Sequence, residues 1–278
     1  MNVNQLIAYL LLALISVMLT DCGEPMIKTK APVNYVKREL DKLAPVEVKA
    51  DLSSLSESEQ AVVMKLVEAG KIIDQLFLLQ VDRDNPEIRQ ELLTMKDADK
   101  NLYLKMFDVM FGSWNRLAHD ERFLNSEEKP AGAGFYPVDM TKKEFLDHIE
   151  KNPEQRALFE DTFTIIKRKN GELTAVKYHN AYSHLVQKLN AILKEAAQLS
   201  ENENLKKFLN QRAADLLTDN YFKSDMAWMD LDGKIEVVVG PYEVYEDNLF
   251  NYKAAYELFL CIVDLKASEK LAAASKYL

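Results

Sequence analysis

Apolar residues recur along this chain with different rhythms, and each rhythm predicts a different kind of element. In SESEQAVVMKLVEAGKIIDQLFLLQ, Val62, Leu66, Val67, Ile73 and Phe77 fall on one face at helical spacing. Ser56 with Glu59 adds a capping box, so the stretch predicts a long helix. NPEIRQELL restarts the pattern with Asn85 as cap and Pro86 at the first helical position, and KNLYLKMFDVMFGSW supplies another apolar helix that Gly112 is expected to end. NAYSHLVQKLNAILKEAAQLS and ENLKKFLNQRAADLLTD repeat the helical spacing.

A strand rhythm appears in DTFTIIKRKNGELTAVKYH, where Asn170-Gly171 is the preferred two-residue turn between β-branched flanks. MAWMDLDGKIEVVVG predicts a second hairpin turning at Asp232-Gly233, and VEVKA (46–50) a short opening strand. The last segment, NYKAAYELFLCIVDLKASEKLAAASKYL, reads as helical throughout. EEKPAGAGFYPVDMTKKEFLDHI is an irregular loop followed by a second capping box, Thr141 with Glu144. No strand leads into Gly132-Ala133-Gly134, so those glycines point to packing and not to a phosphate cradle. These elements define an α+β class, predominantly helical with short antiparallel β-hairpins.

The third rhythm is an unbroken apolar run at 6–19, shorter than the roughly 20 residues of a membrane span and closer to a signal-peptide core. It ends in Leu19-Thr20-Asp21-Cys22, which is similar to a bacterial lipobox and makes Cys22 the expected lipidation site. Asp21 stands where a small residue is usual, and MNVNQ carries no Lys or Arg. An uncleaved anchor is the first alternative and a cytoplasmic chain the second; the lipoprotein reading, which makes it an exported envelope protein, and the anchor reading both place the chain at a membrane. The expected organisation is a signal at 1–22, a tether with an opening strand at 23–55, and a folded domain at 56–278.

Composition narrows the chemistry. The chain has 278 residues, 48% of them hydrophobic, enough for a sizeable core. Its 44 acidic and 35 basic residues give a net charge of −9, and no Lys/Arg cluster is interleaved with aromatics, which argues against a nucleic-acid partner. Two cysteines, Cys22 and Cys261, are too few for a disulfide framework. Cys261, flanked by apolar residues in LFLCIVDL, reads as a small core hydrophobe. The four histidines do not form H-E-x-x-H, and His179 and His184 are spaced to face different ways, so neither a metal ligand nor a catalytic nucleophile is expected here. The one rich polar constellation is GPYEVYEDNLFNYKAAYE, directly after the strand-like KIEVVV.

SDMAWMDLDGKIEVVVGPYEVYEDNLFNYKAAYELF resembles the N-terminal half of bacterial members of the dipeptidyl peptidase III family of zinc metallopeptidases. SWNRL, GAGFYPVDMTKKEF and TFTIIKRKNGEL precede it in the same order, so the resemblance extends over nearly all of the chain after the tether. It implies the substrate-binding lobe of a two-lobed peptidase, with Glu243 accepting a peptide's amino-terminal amine and Tyr245 contacting its backbone. An extended segment would point both side chains the same way. It also implies zinc in full-length members. Their H-E-x-x-G-H helix lies downstream of the matched region, and this chain stops at Leu278 before it. The expectation is therefore a peptide-binding lobe that is inactive alone and binds no zinc itself, whether a truncated gene product, a fragment, or one half of a split enzyme whose zinc-bearing half is encoded separately, with short peptides as its partners. The alternative is a non-catalytic, membrane-tethered peptide-binding or interaction module. A plainer reading of the acidic stretch has it solvate a strand-to-helix loop and cap the final helix.

Overall fold

The structure, a computed structural model, describes residues 25–275; the apolar run at 6–19 and Cys22 lie outside them. The first element falls in the segment expected to be a tether. Helix α1 (Val33–Asp41) buries Val36 and Leu40 in a small apolar cluster with Ile88, Leu92, Met106 and Phe107. Its sequence gave no sign of a start, since Pro32 precedes it and no side chain caps it. Residues 46–50, expected as a strand, are coil with Val46 and Val48 exposed. Alternation alone does not make a strand where no partner takes up the backbone hydrogen bonds.

Helix α2 (Glu57–Val81) opens with the expected capping box. Glu59 N–H donates to Ser56 Oγ at 3.2 Å, and Ser56 N–H donates to Glu59 Oε2 at 2.7 Å. Val62, Leu66 and Ile73 are buried, whereas Val67 is exposed and Phe77 half-buried at the margin of that face. Helices α3 (Asn85–Thr94) and α4 (Lys100–Met110) follow. Asn85 opens α3 but does not cap it; its buried amide donates to Leu78 O at 3.1 Å and Phe111 O at 3.3 Å, tying the end of α2 to the end of α4. Gly112 stops α4 as expected. Phe111 is left-handed (φ 53°), and Gly112, at φ 149°, returns its N–H to Phe107 O at 3.2 Å.

After the short antiparallel pair β1 (Trp114–Asn115) and β2 (Glu121–Arg122), the irregular loop lies against α2. A Cβ on Gly134 would sit 2.3 Å from Leu79 O, so only glycine allows this approach. Arg83 pins the loop by donating Nε to Gly134 O at 2.8 Å. Helix α5 (Lys142–Lys151) forms only half of its expected capping box. Thr141 Oγ1 accepts from Glu144 N–H at 3.1 Å, but the Glu144 carboxylate turns to Arg168 at 2.7 and 2.9 Å. A bidentate guanidinium outcompetes one backbone N–H.

The short α6 (Arg156–Phe159) leads into β3 (Thr164–Lys169) and β4 (Glu172–Lys177). Their turn is Asn170-Gly171, with both φ values positive at 54° and 87°, as a type I′ turn requires. Helices α7 (Tyr178–Ala181), α8 (Ser183–Leu199), α9 (Glu203–Asp215) and α10 (Phe222–Trp228) come next. The chain then makes β5 (Ile235–Glu243), β6 (Ala255–Ile262) and α11 (Leu265–Ala274).

Three expectations fail here. There is no hairpin at Asp232-Gly233, because residues on its N-terminal side are in α10 and the partner of β5 lies downstream: β5 pairs antiparallel with β6, Val239 opposite Leu258. The segment read as one closing helix is therefore a strand followed by a helix. A short apolar run such as AYELFLCI has no periodicity that separates a buried helix from a strand, and its need to pair with β5 decides. On β6, Cys261 is exposed and not in the core. The main core forms where α2 packs on α8 and β6, with α9 against α8 and α10 against α9.

Candidate peptide-binding groove

Strand β5 ends in an irregularity between Pro241 and Glu243, after which the chain leaves the sheet for a loop that returns at Ala255. Asp247 builds that loop. Fully buried, it accepts backbone N–H groups of Leu249 (3.0 Å) and Phe250 (3.1 Å) on Oδ1. Its Oδ2 accepts from Tyr252 N–H (2.9 Å), Lys253 N–H (3.1 Å) and the Tyr136 hydroxyl (2.8 Å). Lys253 closes the far side, donating Nζ to Phe159 O (2.6 Å), Asp161 O (2.8 Å) and Thr164 Oγ1 (2.8 Å). Glu246, also buried, is held by Arg116, with Lys129 Nζ 3.3 Å from its Oε2.

Glu243 is different. Its Oε1 accepts the Tyr245 N–H at 2.7 Å, but its Oε2 is buried with no hydrogen-bond partner. It lines a groove of about 480 Å³ between α2 and β6, together with Val67, Lys71, Asp74, Phe77, Phe111, Glu257 and Leu258. Burial raises the Glu243 carboxyl above the ordinary glutamate value; the Tyr245 N–H opposes this, and the nearby Glu246 and Glu257 charges add to it. Burial likewise raises Asp74 and Glu257. The groove is thus apolar-walled and lined by carboxylates that are under-solvated as anions, an arrangement suited to a small cationic group.

Tyr245 is 81% exposed and is not among the residues lining this groove. The two side chains do not share a face, because Glu243 bends back onto Tyr245 N–H at the point where the strand ends. No helix follows the acidic stretch directly, so its carboxylates do not cap one. His179 and His184 do not come together: His179 directs Nδ1 to the buried Asp219 at 2.8 Å, while His184 is exposed on α8. Asp74, Glu257 and Phe111 were not anticipated as site residues. Glu257 alternates with apolar neighbours, a visible signal once its segment is recognised as a strand. Asp74 is an acid at the margin of the apolar face of α2.

Residues 155–276 match the model for peptidase family M49. The chain is similar to the structure of dipeptidyl-peptidase III from Caldithrix abyssi, at 46% identity and a TM-score of 0.84, covering 87% of this chain and 46% of that one. The structure of dipeptidyl-peptidase III from Corallococcus sp. strain EGB superposes equally well, with a TM-score of 0.84 at 36% identity, covering 90% of this chain and 47% of that one. A curated relative, Nudix hydrolase 3 of Arabidopsis thaliana, is 31% identical over 297 positions, 88% of this chain and 38% of that protein. The chain spans about half the length of the solved relatives it matches.

The family implies zinc. Among the described residues no group of three or more His, Cys, Asp or Glu is placed to hold a metal ion. The groove offers carboxylates and a lysine but no imidazole or thiolate, a set that does not fit a zinc centre. No helix among the described residues is long and apolar enough to cross a membrane.

Proposed function

We propose that this chain is the peptide-binding lobe of a dipeptidyl-peptidase-III-type peptidase, in which Glu243 accepts the protonated amino terminus of a short peptide in the groove and Tyr245, exposed outside it, contacts the peptide backbone beyond. The observation that supports this is Glu243 Oε2, buried, unpartnered and at a groove that also carries Asp74 and Glu257. An ammonium group brings three donors and a positive charge to such an oxygen. Val67, Phe77, Phe111 and Leu258 offer apolar wall to the peptide's side chains.

In this reading residues 25–275 bind and orient the amino terminus. The zinc chemistry belongs to the part of the matched peptidases that this chain does not span. The apolar run at 6–19 and the sequence ending at Cys22 support export with lipidation of Cys22 and tethering to a membrane. Cys22→Ala should then abolish incorporation of a labelled fatty acid, and retention of the label would refute that part.

Binding by one lobe should be weak, with a dissociation constant on the order of 1 mM. Titrating isotopically labelled protein with an unblocked Ala-Ala amide should shift the backbone amide resonances of Gly70, Lys71, Tyr245 and Leu258. Shifts confined to other regions, or none at tens of millimolar, would refute the proposal.

A further inference from the structure

On the opposite side of the same strand end, Tyr242 is held by a compact polar cluster. Its hydroxyl donates to Asp225 Oδ1 at 2.6 Å and accepts from Arg212 Nη1, while Arg212 Nη2 donates to the same Asp225 oxygen at 2.7 Å. Arg212 is only 2% exposed, with its guanidinium beside the rings of Phe208, Tyr221 and Tyr242 at 5.1–5.3 Å. A cation buried there is tolerable only because Asp225 neutralises it and aromatic faces surround it. The backbone has been shaped to admit the cluster. Gly240 sits at φ 152°, and a Cβ on it would lie 2.7 Å from the Tyr242 ring and 3.0 Å from Arg212 Nη1.

Tyr242 is the residue immediately before Glu243, and the strand irregularity spans Pro241 to Glu243. Consecutive side chains at a strand end leave on opposite faces. Fixing the Tyr242 side chain at its tip therefore fixes the peptide that aims Glu243. Nothing comparable holds Glu243 itself, whose one contact is to the neighbouring Tyr245 N–H.

We propose that Arg212, Tyr242 and Asp225 form a positioning lock that holds Glu243 Oε2 toward the groove, making Tyr242 a positioning residue for amine recognition. This rests on the amine-binding reading of Glu243, and the test separates the two. The lock acts through rigidity: with it, the carboxylate stays where only a ligand donor can complete it; without it, the strand end relaxes and Oε2 reaches water.

The test compares the chain with Tyr242→Phe, which keeps the ring beside Arg212 and removes only the hydroxyl. Both should stay folded by circular dichroism. The preference for Ala-Ala amide over its N-acetylated twin should fall roughly threefold in Tyr242→Phe, a loss within the range of a partly solvated ion pair. Binding of the acetylated peptide should not change. A second readout needs no ligand: titration of the Glu243 side-chain carbon by NMR. The groups felt there are Glu246, Glu257 and Arg116. Tyr242→Phe touches none of them, yet should move the Glu243 midpoint down toward the ordinary value. If folded Tyr242→Phe leaves that midpoint unchanged, the lock is refuted, whatever the peptide result. If the midpoint moves but wild type shows no amine preference, the lock stands and the amine reading fails.

Discussion

Asp247 and Glu243 lie four residues apart in one acidic stretch and do opposite things. Asp247 is fully buried and saturated, with backbone N–H groups and a tyrosine hydroxyl filling both oxygens. Glu243 is half-buried and keeps an oxygen without a partner at the edge of a groove. A buried carboxylate whose acceptor sites are all filled is structure. One left incomplete carries a free-energy cost that a ligand can recover. The first acid folds the loop that follows the second.

Breaking the structural acid should have the largest effect. Asp247→Ala strands those donors in a dry loop and should cost about 3–5 kcal/mol, measured by urea unfolding. A loss under about 1 kcal/mol would mean water replaces the carboxylate. Lys253→Met comes next, at about 2–4 kcal/mol, because three acceptors lose their donor. Burial lowers the Lys253 ammonium to about 7. The unfolded lysine binds its proton more tightly than the folded one between that value and the ordinary lysine value of 10.5, so wild-type stability should rise with pH across that window, and this rise should vanish in Lys253→Met.

Glu243→Gln should show the opposite sign. Because the folded Glu243 value is raised, the protonated form's contribution is complete below the ordinary glutamate value and is lost as pH rises through the folded value. At pH 7 the neutral amide escapes that penalty, so the variant should be slightly more stable than wild type, by less than about 1 kcal/mol after solvent screening. The advantage should shrink on acidification. A destabilised variant at pH 7 would place Glu243 with Asp247 among the structural acids. Tyr245→Phe should change stability least, within about 0.5 kcal/mol, since its side chain is 81% exposed.

What was legible in the sequence were elements with local signatures: the Ser56/Glu59 box, the Gly112 stop and the Asn170-Gly171 turn. What was not legible depended on distant partners. β6 is a strand because β5 needs one, α1 is a helix that nothing local caps, and Cys261 is exposed because a strand has two faces. The candidate site divides the same way. Glu243 could be named from its place in the acidic stretch, but its neighbour Asp74 comes from α2, distant in sequence, and Glu257 closes the same stretch in a segment that reads as helical. Tyr245 could be named too, yet the bend at the strand end that turns it away from the groove could not be read from an alternating pattern.

The most direct test of the division between the two acids is an NMR titration of wild type and Glu243→Gln with an Ala-Ala amide and its N-acetylated form. Wild type should prefer the free amine, by less than about tenfold because the pair is partly solvated. Glu243→Gln should bind both forms alike. Equal binding of both by wild type, or an undiminished preference in the variant, would contradict the assignment of Glu243 to the ligand.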